Sequence, residues 1–168
     1  MTAKNSIKSS RHFYNTAAVF IINERGRVLC LRRSEWKKIP GEIYRPDLSH
    51  RLDLPGGVVG DHVAGESERV GAARELREET GIKIDPSALK LFYAATEFRA
   101  DIPRSRVRLA YFAKLDFTPE VKLSWEHEEF FWRDPAELTS RDGQPSFGQS
   151  VKTEMMNYFV EHRDIFEM

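Results

Sequence analysis

The sequence predicts an α+β fold with a mixed β-sheet between helices, and three observations carry that prediction. Strand-like apolar runs fill the middle of the chain, one well-capped helix is inserted among them, and an amphipathic segment closes the sequence. Residues 1–11 are polar and read as a flexible arm ahead of a single domain over 12–168. A chain of 168 residues suits one core rather than two.

The elements follow in order. His12–Ile22 and residues 27–33 are β-rich runs around the turn-like Asn23-Glu24-Arg25-Gly26, which predicts an early hairpin. Residues 34–50 form a polar loop punctuated by Pro40-Gly41 and Pro46, a length that usually accompanies function or mobility. A short apolar stretch over 52–59 is broken by Pro55-Gly56-Gly57. A helix comes next: Ser67 suits its N-cap, Glu68 its positive end, and Gly81 a left-handed C-terminal cap. Residues 89–98 and 106–115 read as strands joined by a turn containing Asp101 and Pro103, and 129–133 as one more. Asp134 caps a short helix with Pro135 at its first position. In the last segment Val151, Met155, Tyr158, Phe159, His162 and Phe166 fall near one helical face, the pattern of core packing.

Composition excludes several functions. Twenty-six Lys and Arg balance twenty-six Asp and Glu, whereas dedicated nucleic-acid binders carry excess positive charge. The longest apolar run, 17–22, is far short of the ~20 residues of a membrane span. Residues 1–10 lack the apolar stretch of a signal peptide, so a soluble, cytoplasmic protein is expected. Cys30 is the single cysteine, and no Cys/His cluster has zinc spacing.

The inserted helix carries the chemistry. Glu75, Glu78 and Glu79 are spaced i, i+3 and i+4, so their carboxylates are expected on one face, with Val70, Ala73 and Leu76 burying on the other. Adjacent like charges oppose helix formation by roughly 0.2–0.5 kcal/mol per pair. Either Arg69, Arg74 and Arg77 neutralise them, or a hard divalent cation such as Mg²⁺ does.

The wider pattern favours the cation. From Gly60 there are five residues to Glu66, then seven to Arg74-Glu75-Leu76-Arg77-Glu78-Glu79-Thr80-Gly81-Ile82. This spacing resembles the signature of the Nudix hydrolase family. The resemblance implies an α/β/α sandwich, a nucleotide substrate, and Mg²⁺-dependent hydrolysis of a diphosphate bond, with Mn²⁺ able to substitute. By the same resemblance Glu75, Glu78 and Glu79 would be metal ligands, assisted by the Gly56 carbonyl, and Arg74 would hold the carboxylates in place. Glu78, Glu79 and Arg74 thereby join the catalytic set. Glu66 would orient the loop or meet a metal through water. One feature departs from the family: its Pro-Gly-Gly stands closer to the signature glutamate, whereas eight residues separate Gly57 from Glu66. About three residues are therefore inserted ahead of the helix.

The general base is left among several acids. The stretch Trp125-Glu126-His127-Glu128-Glu129-Phe130-Phe131-Trp132 resembles the late acidic segment of many members, and Glu128 is favoured, with Glu126, Glu129 and Glu97 as alternatives. For substrate contacts the candidates are Arg33 and Trp36, with Gly56 and Gly57. The early loop adds Arg32, Lys37, Lys38, Tyr44, Arg45 and Arg51, since basic groups hold phosphates while an aromatic stacks a base. Arg99, Arg104, Arg106 and Arg108 form a second basic group, with Arg106 and Arg108 on one strand face. Two other readings stand beside the hydrolase. A binding or regulatory module could keep the fold without catalysis, and an isopentenyl diphosphate isomerase, which would need a catalytic cysteine, is set aside because Cys30 is the only thiol and lies within a strand-like run. A homodimer is compatible with the resemblance.

Overall fold

Residue chemistry explains why the first strand sits at the centre. In the computed structural model, which describes residues 12–35, 50–60, 65–98, 104–138 and 150–164, β1 spans His12–Ile22 and is buried without a break from Thr16. Such a continuous apolar run belongs to a strand covered on both faces. The others are β2 (Val28–Arg33), β3 (Leu52–Asp53), β4 (Val58–Val59), β5 (Lys90–Glu97), β6 (Arg104–Lys114) and β7 (His127–Arg133). Their order is β3-β2-β1-β6-β5, with β4 on β1 and β7 on β2. Among the described residues only β1 and β6 run parallel, from His12 opposite Arg104 to Ile22 opposite Lys114. The expected mixed sheet is therefore present.

Among the described residues two α-helices cover it. Helix α1 (Glu68–Thr80) packs Ala72, Ala73 and Leu76 against Val19, Ile21, Leu29 and Leu31. Helix α2 (Ser150–Glu161) packs Met155, Met156 and Phe159 against Phe20, Cys30, Ala110 and Phe112 on the opposite face. The Ser67 hydroxyl accepts from Val70 N–H, and Gly81 adopts φ 73°, so both predicted caps of α1 form. Asp134 precedes a 3₁₀ turn over Pro135–Leu138.

The early hairpin forms at its predicted turn but is short, and one expected burial is corrected. Strands β1 and β2 pair antiparallel only at Ile22–Val28, because beyond that point they splay and the chain over 55–57 is wedged between them. The wedge is bonded to β1: Ala17 N–H donates to the Gly57 carbonyl at 2.9 Å and Val19 N–H to the Pro55 carbonyl at 2.8 Å. Val70 is 45% exposed rather than buried. The inward stripe of α1 runs through Ala72, Leu76 and Glu79, two residues round the helix from Val70.

Candidate active site

Because Glu79 continues the buried stripe of α1, it parts company with its neighbours. Its side chain faces inward, residue exposure is 4%, and its Oε2 accepts from Gly56 N–H at 2.8 Å. Glu75 and Glu78 instead turn to Arg74, whose Nη1 donates to Glu75 Oε1 and Glu78 Oε2, each at 2.9 Å. The Arg74 Nε donates to Glu66 Oε1 at 2.9 Å, and Nη2 reaches Glu66 Oε2 at 3.3 Å and the Val58 carbonyl at 3.2 Å. These bonds, Glu66 foremost, hold the guanidinium pKa well above its ordinary value. One arginine thus ties three carboxylates to the loop before the helix, a use that suits its fixed fork of donors.

The environment of Glu79 is the strongest electrostatic feature of the site. Burial pushes its pKa up to about 9; the Gly56 N–H opposes this, while Asp53, Glu126 and Glu75 add negative potential. Arg33 lies between these acids, its Nε donating to Asp53 Oδ2 at 2.8 Å. Burial works against the Arg33 charge, but Asp53 outweighs it, with Glu79 and Glu126 adding to a raised pKa.

The glycines of the wedge are required by space. Gly56 has φ 146°, and a Cβ there would stand 2.0 Å from the Ala17 carbonyl oxygen. A Cβ on Gly57 would stand 2.7 Å from Glu75 Oε2. The loop therefore touches both β1 and the acidic helix. Next to it opens a cavity of about 140 Å³ lined by Gly56 and Gly57 and by Thr16, Arg33, Asp53, Arg106 and Arg108, with Met155 of α2 on its apolar side.

The basic group on β6 belongs to this cavity. Arg106 and Arg108 share the α2 face of the sheet, as alternation predicts. Glu97 on β5 pairs with both: its Oε2 accepts from Arg106 Nε at 3.0 Å and from Arg106 Nη2, and lies 3.5 Å from Arg108 Nη2. Burial favours the neutral acid, yet the two arginines outweigh it and hold the Glu97 pKa below its ordinary range. Arg108 is 4% exposed, and burial followed by Arg106 lowers its pKa.

The late acids separate. Glu126 lies within the field of both Glu79 and Arg33. Glu128 is exposed and its Oε1 meets His50 Nδ1 at 2.7 Å, with His50 at φ 59°. Glu129 pairs with Arg32 at 3.4 Å. Trp36, Lys37, Lys38, Tyr44, Arg45 and Arg99 lie outside the described residues, as does the side chain of Arg104. Arg51 is half-buried, and its carbonyl accepts from Arg33 N–H. Cys30 is fully buried and its thiol is pushed up to about 12, an inert setting. Asp53 and Thr16 were missing from the sequence candidates. Each had a signal: one polar residue set inside an apolar stretch, Leu52-Asp53-Leu54 and Thr16-Ala17-Ala18.

A family model described as the NUDIX domain matches residues 12–153, most of the chain. The protein belongs to the Nudix family. Among solved structures, this Nudix chain resembles a MutT protein from Methanosarcina mazei Go1, with TM-score 0.66 and 23% identity, over 94% of this chain and 98% of that one. A C. elegans Ap4A hydrolase in a binary complex gives TM-score 0.60 at 22% identity, over 90% and 98%. The E. coli dihydroneopterin triphosphate pyrophosphohydrolase gives 0.60 at 18%, over 89% and 98%. At these identities the likeness establishes the fold. In sequence, 42 residues are 48% identical to proteins of two Mycobacterium tuberculosis strains provisionally named 8-oxo-dGTP diphosphatase 2. That match spans 25% of this chain and 28% of the relatives' length. Among the described residues, no helix is long and apolar enough to cross a membrane.

Proposed function

We propose that this Nudix protein is a Mg²⁺-dependent hydrolase that splits a diphosphate bond in a nucleoside triphosphate or nucleoside diphosphate derivative. The observation that carries the reading is Glu79, a buried carboxylate with Asp53, Glu75 and Glu126 around it. An all-oxygen, anionic donor set of this kind suits a hard divalent cation, which would remove the penalty on the ionised form. As they stand, no three acidic side chains among the described residues are gathered on one coordination point. Glu75 and Glu78 are bound to Arg74, and Glu79 to Gly56 N–H.

Glu75, Glu78, Glu79 and the Gly56 carbonyl would hold the metal. When bound, the ion would neutralise phosphate charge and lower the pKa of a water. Arg74 keeps Glu75 and Glu78 at the loop, and glycine at 56 and 57 lets that loop pack against Ala17 and the Glu75 carboxylate. Arg33 supplies positive charge beside Asp53. Of the late acids, Glu126, which acts electrostatically on Glu79, is preferred as the general base over the initially favoured Glu128, whose side chain pairs with His50.

The test is a hydrolysis screen with Mg²⁺ over nucleoside triphosphates, oxidised deoxynucleoside triphosphates, nucleotide sugars, ADP-ribose and dinucleoside polyphosphates. The name of the mycobacterial relatives places 8-oxo-dGTP first in that panel. Glu78→Gln and Glu79→Gln are expected to abolish turnover with the fold intact, and full activity in both would reject the reading. Silence of the wild type across the whole panel, with ligands still raising Tm, would favour the non-catalytic module instead.

A further inference from the structure

The turn that carries Glu126 is held from two sides. Residues 124–127 close it, with His127 N–H donating to the Ser124 carbonyl at 3.3 Å. On one side Ser124 N–H donates to the Glu79 carbonyl at 3.0 Å, near the end of the acidic helix. On the other stands Ser34, the residue that follows β2. Its N–H donates to the Glu126 carbonyl at 2.9 Å, and its hydroxyl donates to the Trp125 carbonyl at 2.9 Å. One serine thus takes both peptide carbonyls at the tip of the turn. Trp125 is 60% exposed, so hydrogen bonds rather than a buried ring fix this tip.

A second observation concerns the strand that follows. Arg32 pairs with Glu129 but Arg33 pairs with His127, so Glu128 is the extra residue of a bulge in β7. A bulge interrupts the two-residue alternation of a strand, re-aims a side chain and locally disrupts the ladder. Regular alternation would give Glu126 and Glu128 the same face. Instead the Glu128 carboxylate meets His50 at 2.7 Å, while Glu126 acts electrostatically on both Arg33 and Glu79. The two bonds from Ser34 fall directly beside this bulge, where the disrupted ladder alone would hold the turn less firmly.

We propose that Ser34 is a positioning residue, which fixes the turn through the Trp125 and Glu126 carbonyls so that the Glu126 carboxylate is held beside Glu79. The inference rests on the hydrolase reading with Glu126 as general base, and Ser34 acts through the turn, not on the substrate. Turnover is read on the full chain in Mg²⁺ with 8-oxo-dGTP, or with the panel member cleaved fastest. Ser34→Ala, which removes only the hydroxyl bond, is expected to lower kcat about five- to ten-fold with KM unchanged, the scale of one hydrogen bond lost behind a positioned group. Ser34→Thr keeps the hydroxyl and is expected to restore most of that loss. In a Glu126→Gln background Ser34→Ala is expected to add no further loss, because both changes act on one carboxylate. The clamp also has a readout without turnover. Hydrogen-exchange protection of the residue 34 amide is expected to fall at least about five-fold in Ser34→Ala. Full kcat in Ser34→Ala beside an inactive Glu126→Gln overturns the inference and leaves the hydrolase reading standing. So do losses that multiply in the double variant. Equal amide protection in the wild type and Ser34→Ala overturns the clamp even where kcat falls. Full kcat in Glu126→Gln removes the base, and silence of the wild type across the panel removes the hydrolase; either result takes this role with it.

Discussion

Glu79 makes stability depend on pH in a direction opposite to most paired carboxylates. Burial, Asp53, Glu126 and Glu75 raise its folded pKa to about 9 from the ordinary 4.5, against the Gly56 N–H. Between those values the folded state binds more protons than the unfolded one, so stability falls as pH rises. Below pH 4.5 the contribution of the neutral acid is fully present, and it is lost as pH climbs through the folded pKa. At about 1.4 kcal/mol per pH unit for one proton, the loss between pH 4.5 and 7 comes to about 3 kcal/mol. The assay is urea unfolding in EDTA at pH 5, 6, 7 and 8, for the wild type and for Glu79→Gln, whose amide stays neutral throughout. The wild type is expected to lose stability relative to the variant by about 1 kcal/mol or more per pH unit across this range. Mg²⁺ is expected to flatten the wild-type slope by favouring the ionised form. Arg33 faces Glu79 and stays charged across this window, so it adds no slope of its own. Parallel curves for the two proteins would refute the reasoning.

Other expectations follow from the same contacts. Arg74→Ala should cost about 3–5 kcal/mol in urea unfolding, because the Glu66 side chain, only 3% exposed, is left as a buried charge without its guanidinium. Arg74→Lys should recover only part of that loss, since one ammonium cannot serve Glu66, Glu75 and Glu78 together. Gly57→Ala should displace Glu75 and lower kcat/KM by on the order of 10²-fold with a small change in Tm, as a misplaced catalytic group does. Unchanged turnover in a folded Gly57→Ala would separate the loop from the chemistry.

Local signals were legible wherever local chemistry decides the structure. Ser67 and Gly81 bounded α1 because caps depend on a side-chain oxygen and a left-handed backbone within one turn. The run through β1 was legible because both faces of a central strand are buried. Pairing partners were not: the β1–β2 pairing is confined to Ile22–Val28 because the chain over 52–59 bonds to both strands beyond it, and the parallel partner of β1 lies some ninety residues away at Arg104–Lys114. The helical glutamates were legible as neighbours on one turn, but not which of them would be buried. Whether a glutamate at the edge of a helix faces solvent or sheet depends on the crossing of α1 over β1, which spacing does not encode.

The same gap explains the arginines. Alternation put Arg106 and Arg108 on one strand face but left open whether that face met solvent or a cleft. The answer lies in the splay of β1 from β2. Because the strands part after Ile22–Val28, the loop carrying Gly56 and Gly57 can hydrogen-bond to β1 and stand between the acidic helix and the cavity that Arg106 and Arg108 line. With Gly56 at φ 146° and no room for a Cβ against Ala17, the backbone itself becomes the partition.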